Sequence, residues 1–152
     1  MTTQEDITAI TVLIGRFFRT LNERRFEEDW GKAYFTDDVI AESPHGSARG
    51  AEAVRQSQQA VEDWAAIQYM NTDILIDADP DSATASWNSL MTHIHHESTL
   101  EKLGQGLDPL FTVGGVWDVD LRRTADGWRF SRTSVRPIWM SGTAPQLPAG
   151  AE

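Results

Sequence analysis

Three of the chain's four histidines, His93, His95 and His96, stand within four residues. The segment around them alternates apolar and polar side chains, the period of a β-strand. An ordinary imidazole titrates near pH ~6.5, which suits general acid–base chemistry. On a strand, His93 and His95 share one face and His96 takes the other. Three readings are open: a solvated strand end, an acid or base in a pocket, or a His-x-His site for zinc or iron. Tyr69 is a candidate donor to a substrate carbonyl. Asp118 and Asp120 alternate with Trp117, Val119 and Leu121. A carboxylate such as Asp118, if buried beside aromatics, gains a raised pKa and can act as a base. The alternative is a solvated acidic face paired with the arginines of the last hairpin, where each pair stabilises little. Asn88, between Trp87 and Ser89, needs a hydrogen-bond partner if buried and is a candidate for orienting a ligand. His45 follows Pro44 at a strand end and is either a base or a loop residue.

These residues need elements to hold them. Ile7, Ile10, Ile14, Phe17 and Leu21 recur every three or four residues and predict a first helix, with Thr2-x-x-Glu5 as its capping box. A second helix is expected over Phe26 to Tyr34, starting with Glu27, Glu28 and Asp29 as the helix dipole favours. Phe35-Thr36-Asp37-Asp38 breaks the pattern. Val39 to Glu42 then reads as a short strand stopped by Ser43-Pro44-His45-Gly46. Gly50 opens a third helix ending near Trp64.

After Ala66 the period becomes two. Ile67 to Ala78 and Ala83 to His96 flank Asp79-Pro80-Asp81-Ser82, a turn signal, and predict a long hairpin. If Ala78 opposes Ala83, Ile74 faces Trp87 and Gln68 lies near His93. That register puts Tyr69 and His93 on opposite faces, which a β-bulge would reverse. Glu97 to Pro109 reads as a polar loop. Leu110 to Thr124 and Trp128 to Met140 are the last strands, joined by Ala125-Asp126-Gly127. Helices followed by long antiparallel strands mean α+β. One curled sheet against three N-terminal helices makes a cone-shaped barrel with a pocket between the layers. Residues 1–141 form one such domain, and 142–152 a flexible tail.

Composition narrows the function classes. The chain has 152 residues, no cysteine and a net charge of −10. Thiolate metal sites, disulfides and thiol nucleophiles are excluded. The acidity argues against nucleic-acid and anionic-membrane partners. No early stretch is long enough to span a bilayer, and the acidic start lacks signal-peptide character, so a cytoplasmic protein is expected. Six tryptophans supply core and, in part, the walls of an aromatic-lined pocket.

One set of residues resembles a known family. Leu21-Asn22-Glu23-Arg24-Arg25-Phe26 leads to Phe35-Thr36-Asp37-Asp38-Val39. Glu42-Ser43-Pro44-His45-Gly46, Gly50-Ala51-Glu52-Ala53-Val54 and Asp126-Gly127-Trp128-Arg129-Phe130 follow. This order resembles the SnoaL-like branch of the nuclear transport factor 2-like superfamily, with its polyketide cyclases, ketosteroid isomerase and scytalone dehydratase. The resemblance implies the cone-shaped fold and a homodimer formed through the outer sheet face. It also implies that the family's machinery is absent or relocated here. The isomerase's base position holds Ser43, and its oxyanion tyrosine falls near Phe17. The place of the dehydratase's first histidine is taken by Tyr69.

The expectation is a cofactor-independent cyclase, dehydratase or isomerase for a hydrophobic, polyketide-like or polycyclic small molecule. His93 would be the base, with Tyr69 or Asn88 holding the oxyanion and Asp118 a further catalytic candidate. Trp87, Trp117, Phe17 and His45 would contact substrate. The alternatives are a non-catalytic binding or dimerisation module and a metal-dependent enzyme using His93 and His95.

Overall fold

Helix α1 (Gln4–Glu23) starts one residue later than its capping signal suggests. Thr3, not Thr2, is the cap: its Oγ1 accepts from the Asp6 N–H at 3.1 Å and donates to the Asp6 carboxylate at 2.8 Å. The structure, a computed structural model, describes residues 3–145, so Thr2 lies outside the described residues. Ile10, Ile14, Phe17 and Leu21 bury the expected stripe, with Phe18 beside it, while Ile7 stays half-exposed. Asp6 also takes the guanidinium of Arg123 at 2.6 Å, which ties the helix start to the far end of the sheet.

Helix α2 (Trp30–Tyr34) is shorter than its expected span. Arg24 ends α1 in the left-handed conformation, φ 56°, and turns the chain before Phe26. Phe26 instead packs edge-on against Trp30 at 4.9 Å. Strand β1 (Phe35–Ser43) then begins directly, through the segment expected to be a break. It is held there by parallel pairing to β6, Phe35 to Phe130 and Ile40 to Arg132. A second short strand, β2 (Gly46–Arg49), returns along β1 after the Pro44-His45 turn. Helix α3 (Ala51–Glu62) follows Gly50 as expected.

Strands β3 (Ala66–Ala78), β4 (Ser82–Ile94), β5 (Leu110–Thr124) and β6 (Gly127–Gly142) match their sequence signals within one or two residues. The polar loop between β4 and β5 contains a short helix, α4 (Glu97–Leu103). The six strands form one curved, unclosed sheet in the order β2-β1-β6-β5-β4-β3, antiparallel except for β1 with β6. The fold is α+β, as the sequence implied. Beyond Gly142, Thr143 is still bonded to Leu110. Residues 146–152 of the expected tail lie outside the described residues. No described helix is long and apolar enough to cross a membrane.

The detail that positions the site is a β-bulge. Ala78 does oppose Ala83, but pairing slips between Leu75–Ser86 and Thr72–Asn88, so Asp73 and Ile74 together face Trp87. Asp73 sits at φ 58°. Its carboxylate accepts from the Asn88 side-chain amide at 3.0 Å and from Thr72 Oγ1 at 3.2 Å. The extra residue shifts the rest of β3 by one and turns Ile67 and Tyr69 to the inner face, where Ile67 pairs with His93. A β-branched residue is strained in this conformation, whereas glycine is not. Asp73→Val should therefore cost about 1–2 kcal/mol, with Asp73→Gly costing less, as read from urea midpoints.

Candidate active site

A cavity of about 300 Å³ opens between the helices and the inner sheet face. Phe17 and Leu21 of α1, Ser57 and Val61 of α3, and Phe35, Ala41, Tyr69, Met91, Trp117, Thr133 and Val135 of the sheet line it. Its size is at the lower end for small-molecule sites, and its walls are mostly apolar with a few polar groups, the usual character of such sites. Gln56, Ser43 and Gly46 stand on its exposed side.

The bulge brings Tyr69 and His93 together. Tyr69 Oη lies 2.7 Å from His93 Nε2, and His93 Nδ1 lies 2.9 Å from the Phe111 carbonyl. A carbonyl only accepts, so Nδ1 carries the proton and Nε2 is the acceptor. The Tyr69 hydroxyl therefore donates to His93. Of the two, Tyr69 lines the cavity and His93 stands behind it. Burial lowers the His93 pKa, the Phe111 carbonyl opposes this in part, and His95 adds to it. Burial also raises the Tyr69 pKa. At neutral pH the pair is an uncharged phenol bonded to an uncharged imidazole.

Trp64, just past α3, covers His93. Its ring centroid lies 4.5 Å from that of His93 and 4.6 Å from that of His95, tilted against both. His95 shares the face of His93, as expected, but its Nε2 is bonded to the Thr143 carbonyl at 2.7 Å. Both nitrogens of His93 are thus engaged. Among the described residues no group of three or more His, Cys, Asp or Glu side chains could hold a metal ion.

The other candidates divide. Phe17 and Trp117 do line the cavity. Trp87 does not: it is 2% exposed, stacked on Trp117 at 6.0 Å and edge-on to Phe18 at 5.8 Å. It is core, because its strand position is walled by α1. Asp118 pairs with Ser86 and Ser134, one residue out of phase with buried Trp117, so it faces the outside of the sheet. Asn88 is exposed on that same face and holds the bulge. His45 is exposed at the tip of the β1–β2 turn. None of these three reaches the cavity. Trp64, Thr133 and Ser57 were missed because they carry no chemical signature by type. Asn22 was missed too, although a lone amide beside Leu21 on the apolar stripe was its signal.

A family model described as a SnoaL-like domain matches residues 2–134 of the chain. No curated protein matches it. Among solved structures, the Kfla4162 protein of Kribbella flavida is 21% identical, with a TM-score of 0.77 over 91% of this chain and 94% of that one. A protein of Novosphingobium aromaticivorans provisionally assigned as a scytalone dehydratase is 17% identical, TM-score 0.73, over 95% and 93% of the chains. The LinA-type3 hexachlorocyclohexane dehydrochlorinase of Novosphingobium barchaimii is 16% identical, TM-score 0.71, over 93% of each. At these identities the likeness is one of fold.

Proposed function

The chain belongs to the SnoaL-like domain family, and from that membership we propose a small-molecule enzyme of the dehydratase or isomerase type. A cyclase acting by the same proton transfer is included. The observation that carries the reading is the 2.7 Å bond from Tyr69, on the cavity wall, to a buried His93. Dehydration and dehydrochlorination, the reactions in the names of two structural neighbours, both remove a proton next to a leaving group.

The roles differ from those expected. Tyr69, rather than His93, meets the substrate. The phenol oxygen takes a proton from carbon beside an electron-withdrawing group, while its own proton passes to His93 Nε2. The imidazolium so formed keeps its Nδ1–H on the Phe111 carbonyl. The electron pair left on carbon forms a double bond as the leaving group departs, or becomes an enolate. The proton returns through Tyr69 to the leaving oxygen or to a second carbon, which closes the cycle with no organic cofactor and no net change in the enzyme. Thr133 and Ser57, on the same walls, are available to hold the substrate oxygen.

The test is proton abstraction itself. Cyclic ketones of one or two rings, held in D₂O with the protein, should exchange the hydrogen beside the carbonyl, read by NMR. Ligands that bind without any exchange would favour a non-catalytic binding module.

We infer a homodimer in the cytoplasm. Met70, Leu90 and Trp139 form a row across the outer face, with Ile94 and Leu110 beside it. Met70 is 53% and Trp139 48% exposed. Trp139 lies flat over Gly114, where a Cβ would come within 2.1 Å of its indole nitrogen. Such a row is an apolar patch of the kind that marks an interaction site. The protein should sediment as a dimer at micromolar concentration and Trp139→Glu as a monomer. A monomeric wild type would remove this inference.

A further inference from the structure

Strand β3 is an edge of the sheet, so every second residue turns a main-chain N–H and C=O away from β4. At Tyr69 these groups do not meet solvent. The Asn22 side chain, in the last turn of α1, receives the Tyr69 N–H at 2.9 Å on Oδ1 and donates Nδ2–H to the Tyr69 carbonyl at 3.1 Å. The amide thus acts as one residue of an additional strand, placed opposite Tyr69 on the free edge.

The same turn reaches the other half of the pair. The Arg24 guanidinium, two residues on, donates to the Trp64 carbonyl, and the Trp64 ring lies on His93. Asn22 and Arg24 together fasten the end of α1 to the strand that carries the phenol and to the indole that covers the imidazole. Asn22 lies 47 residues from Tyr69 along the chain, so no local preference for strand or helix produces this contact.

A hydrogen bond of 2.7 Å between two side chains on neighbouring strands needs both backbones held. His93 lies on an inner strand, bonded on both sides. Tyr69 has β4 on one side only, and four residues further on β3 is interrupted by the bulge at Asp73. Without a partner on the free edge, the Tyr69 backbone would be the loose member. The two-point amide contact restrains both its position and its rotation about the strand axis. That rotation sets where the phenol oxygen falls relative to Nε2.

We infer that Asn22 is a positioning residue, whose side-chain amide clamps the Tyr69 main chain and so aims the phenol oxygen at His93 and into the cavity. The inference rests on reading Tyr69 and His93 as the working pair. Asn22 does not line the cavity and acts through Tyr69.

Asn22→Leu keeps the side chain's shape and removes both bonds. Asn22→Asp keeps the acceptor for the Tyr69 N–H, loses the donor and sets a carboxylate against the Tyr69 carbonyl. Long-range ¹H–¹⁵N spectra of the histidine rings read the pair directly, with Tyr69→Phe as the reference for His93 without its phenol partner. In Asn22→Leu the His93 Nε2 resonance should move most of the way to its Tyr69→Phe position, and in Asn22→Asp part of the way. Turnover should fall about a hundredfold in Asn22→Leu, the loss expected from misplacement on the order of 1 Å, with KM little changed.

A folded Asn22→Leu whose Nε2 resonance and turnover stay at wild-type values overturns the inference. Should Asn22→Leu fail to fold, an Asn22→Asp protein with an unmoved Nε2 resonance does the same. A purely structural asparagine would lower stability and leave that resonance alone. The two readings fail separately. Full turnover in Tyr69→Phe would end the catalytic reading, while the Nε2 shift would still decide whether Asn22 aims Tyr69.

Discussion

Tyr69→Phe should fold and lose about 10²–10⁴-fold in turnover, the range removed with a positioned acid–base group. The ring, and with it the cavity wall and the contact to Phe18 at 6.4 Å, is kept. What is lost is the oxygen between the substrate and His93. A buried Nε2 without its donor costs about 1–3 kcal/mol, within the stability of an ordinary domain. His93→Ala should lower turnover in the same way, and the double variant should lose little more than either alone, because the two act as a unit. The check is kcat and kcat/KM on whichever ketone shows exchange. A Tyr69→Phe protein retaining wild-type turnover would remove the pair from the chemistry.

The pH dependence follows from the same pair. His93 must be neutral to accept the phenol proton, and its pKa in the fold is lowered, first by burial. The acid limb of the rate profile should therefore fall below the ordinary imidazole value of ~6.5. Stability has a definite sign here. An unfolded chain binds a proton at this histidine more readily than the folded one. Stability is therefore lost as pH falls below the unfolded pKa, and the loss levels off below the folded pKa. A ring titration by NMR reads the folded value, and a midpoint above ~6.5 would contradict the burial argument.

Phe17→Ala should be the most damaging truncation in the core, at about 3–5 kcal/mol. Phe17 is 2% exposed. Its ring meets Phe130 at 5.1 Å, Phe18 at 5.2 Å, Tyr34 and Phe35 at 5.5 Å, Trp30 at 5.9 Å and Trp117 at 6.4 Å. Most of these contacts are edge-to-face, the geometry aromatic rings prefer. They join α1 and α2 to β1, β5 and β6, so the lost atoms are missed by every layer at once. Phe17 also walls the cavity, and its removal enlarges the ligand space as well as weakening the fold. The measurement is the urea midpoint at unchanged slope. A loss under about 1 kcal/mol, far below the usual cost, would mean that the cluster closes over the gap.

Elements with a strong local period were legible. The stripe of α1, the alternation of β4 and β5 and the Asp79–Ser82 turn each occupy a few neighbouring residues, and they appear within one or two residues of their signals. Elements that depend on distant partners were not. Phe35 to Asp38 has no strand pattern of its own and becomes β1 because β6 lies beside it. The site followed the same division. Tyr69 and His93 were visible as residue types, and the resemblance made Phe17 a point of comparison. Asp118 and Asn88 had equally suitable types but fall on the outer face, because β4 and β5 keep strict alternation with Trp87 and Trp117 inward.

By itself, then, the sequence determined an acidic α+β chain of the SnoaL-like kind, with most of its helices and strands and a short roll of chemically able residues. Only the tertiary structure decided which of them meet. Strand alternation has a period of two, so one inserted residue reverses a face. Whether a residue is inserted at Asp73 depends on cross-strand bonds to Asn88 and on the gain from burying Ile67. Those terms exist only once β3 and β4 are paired, and they turn Tyr69 toward His93.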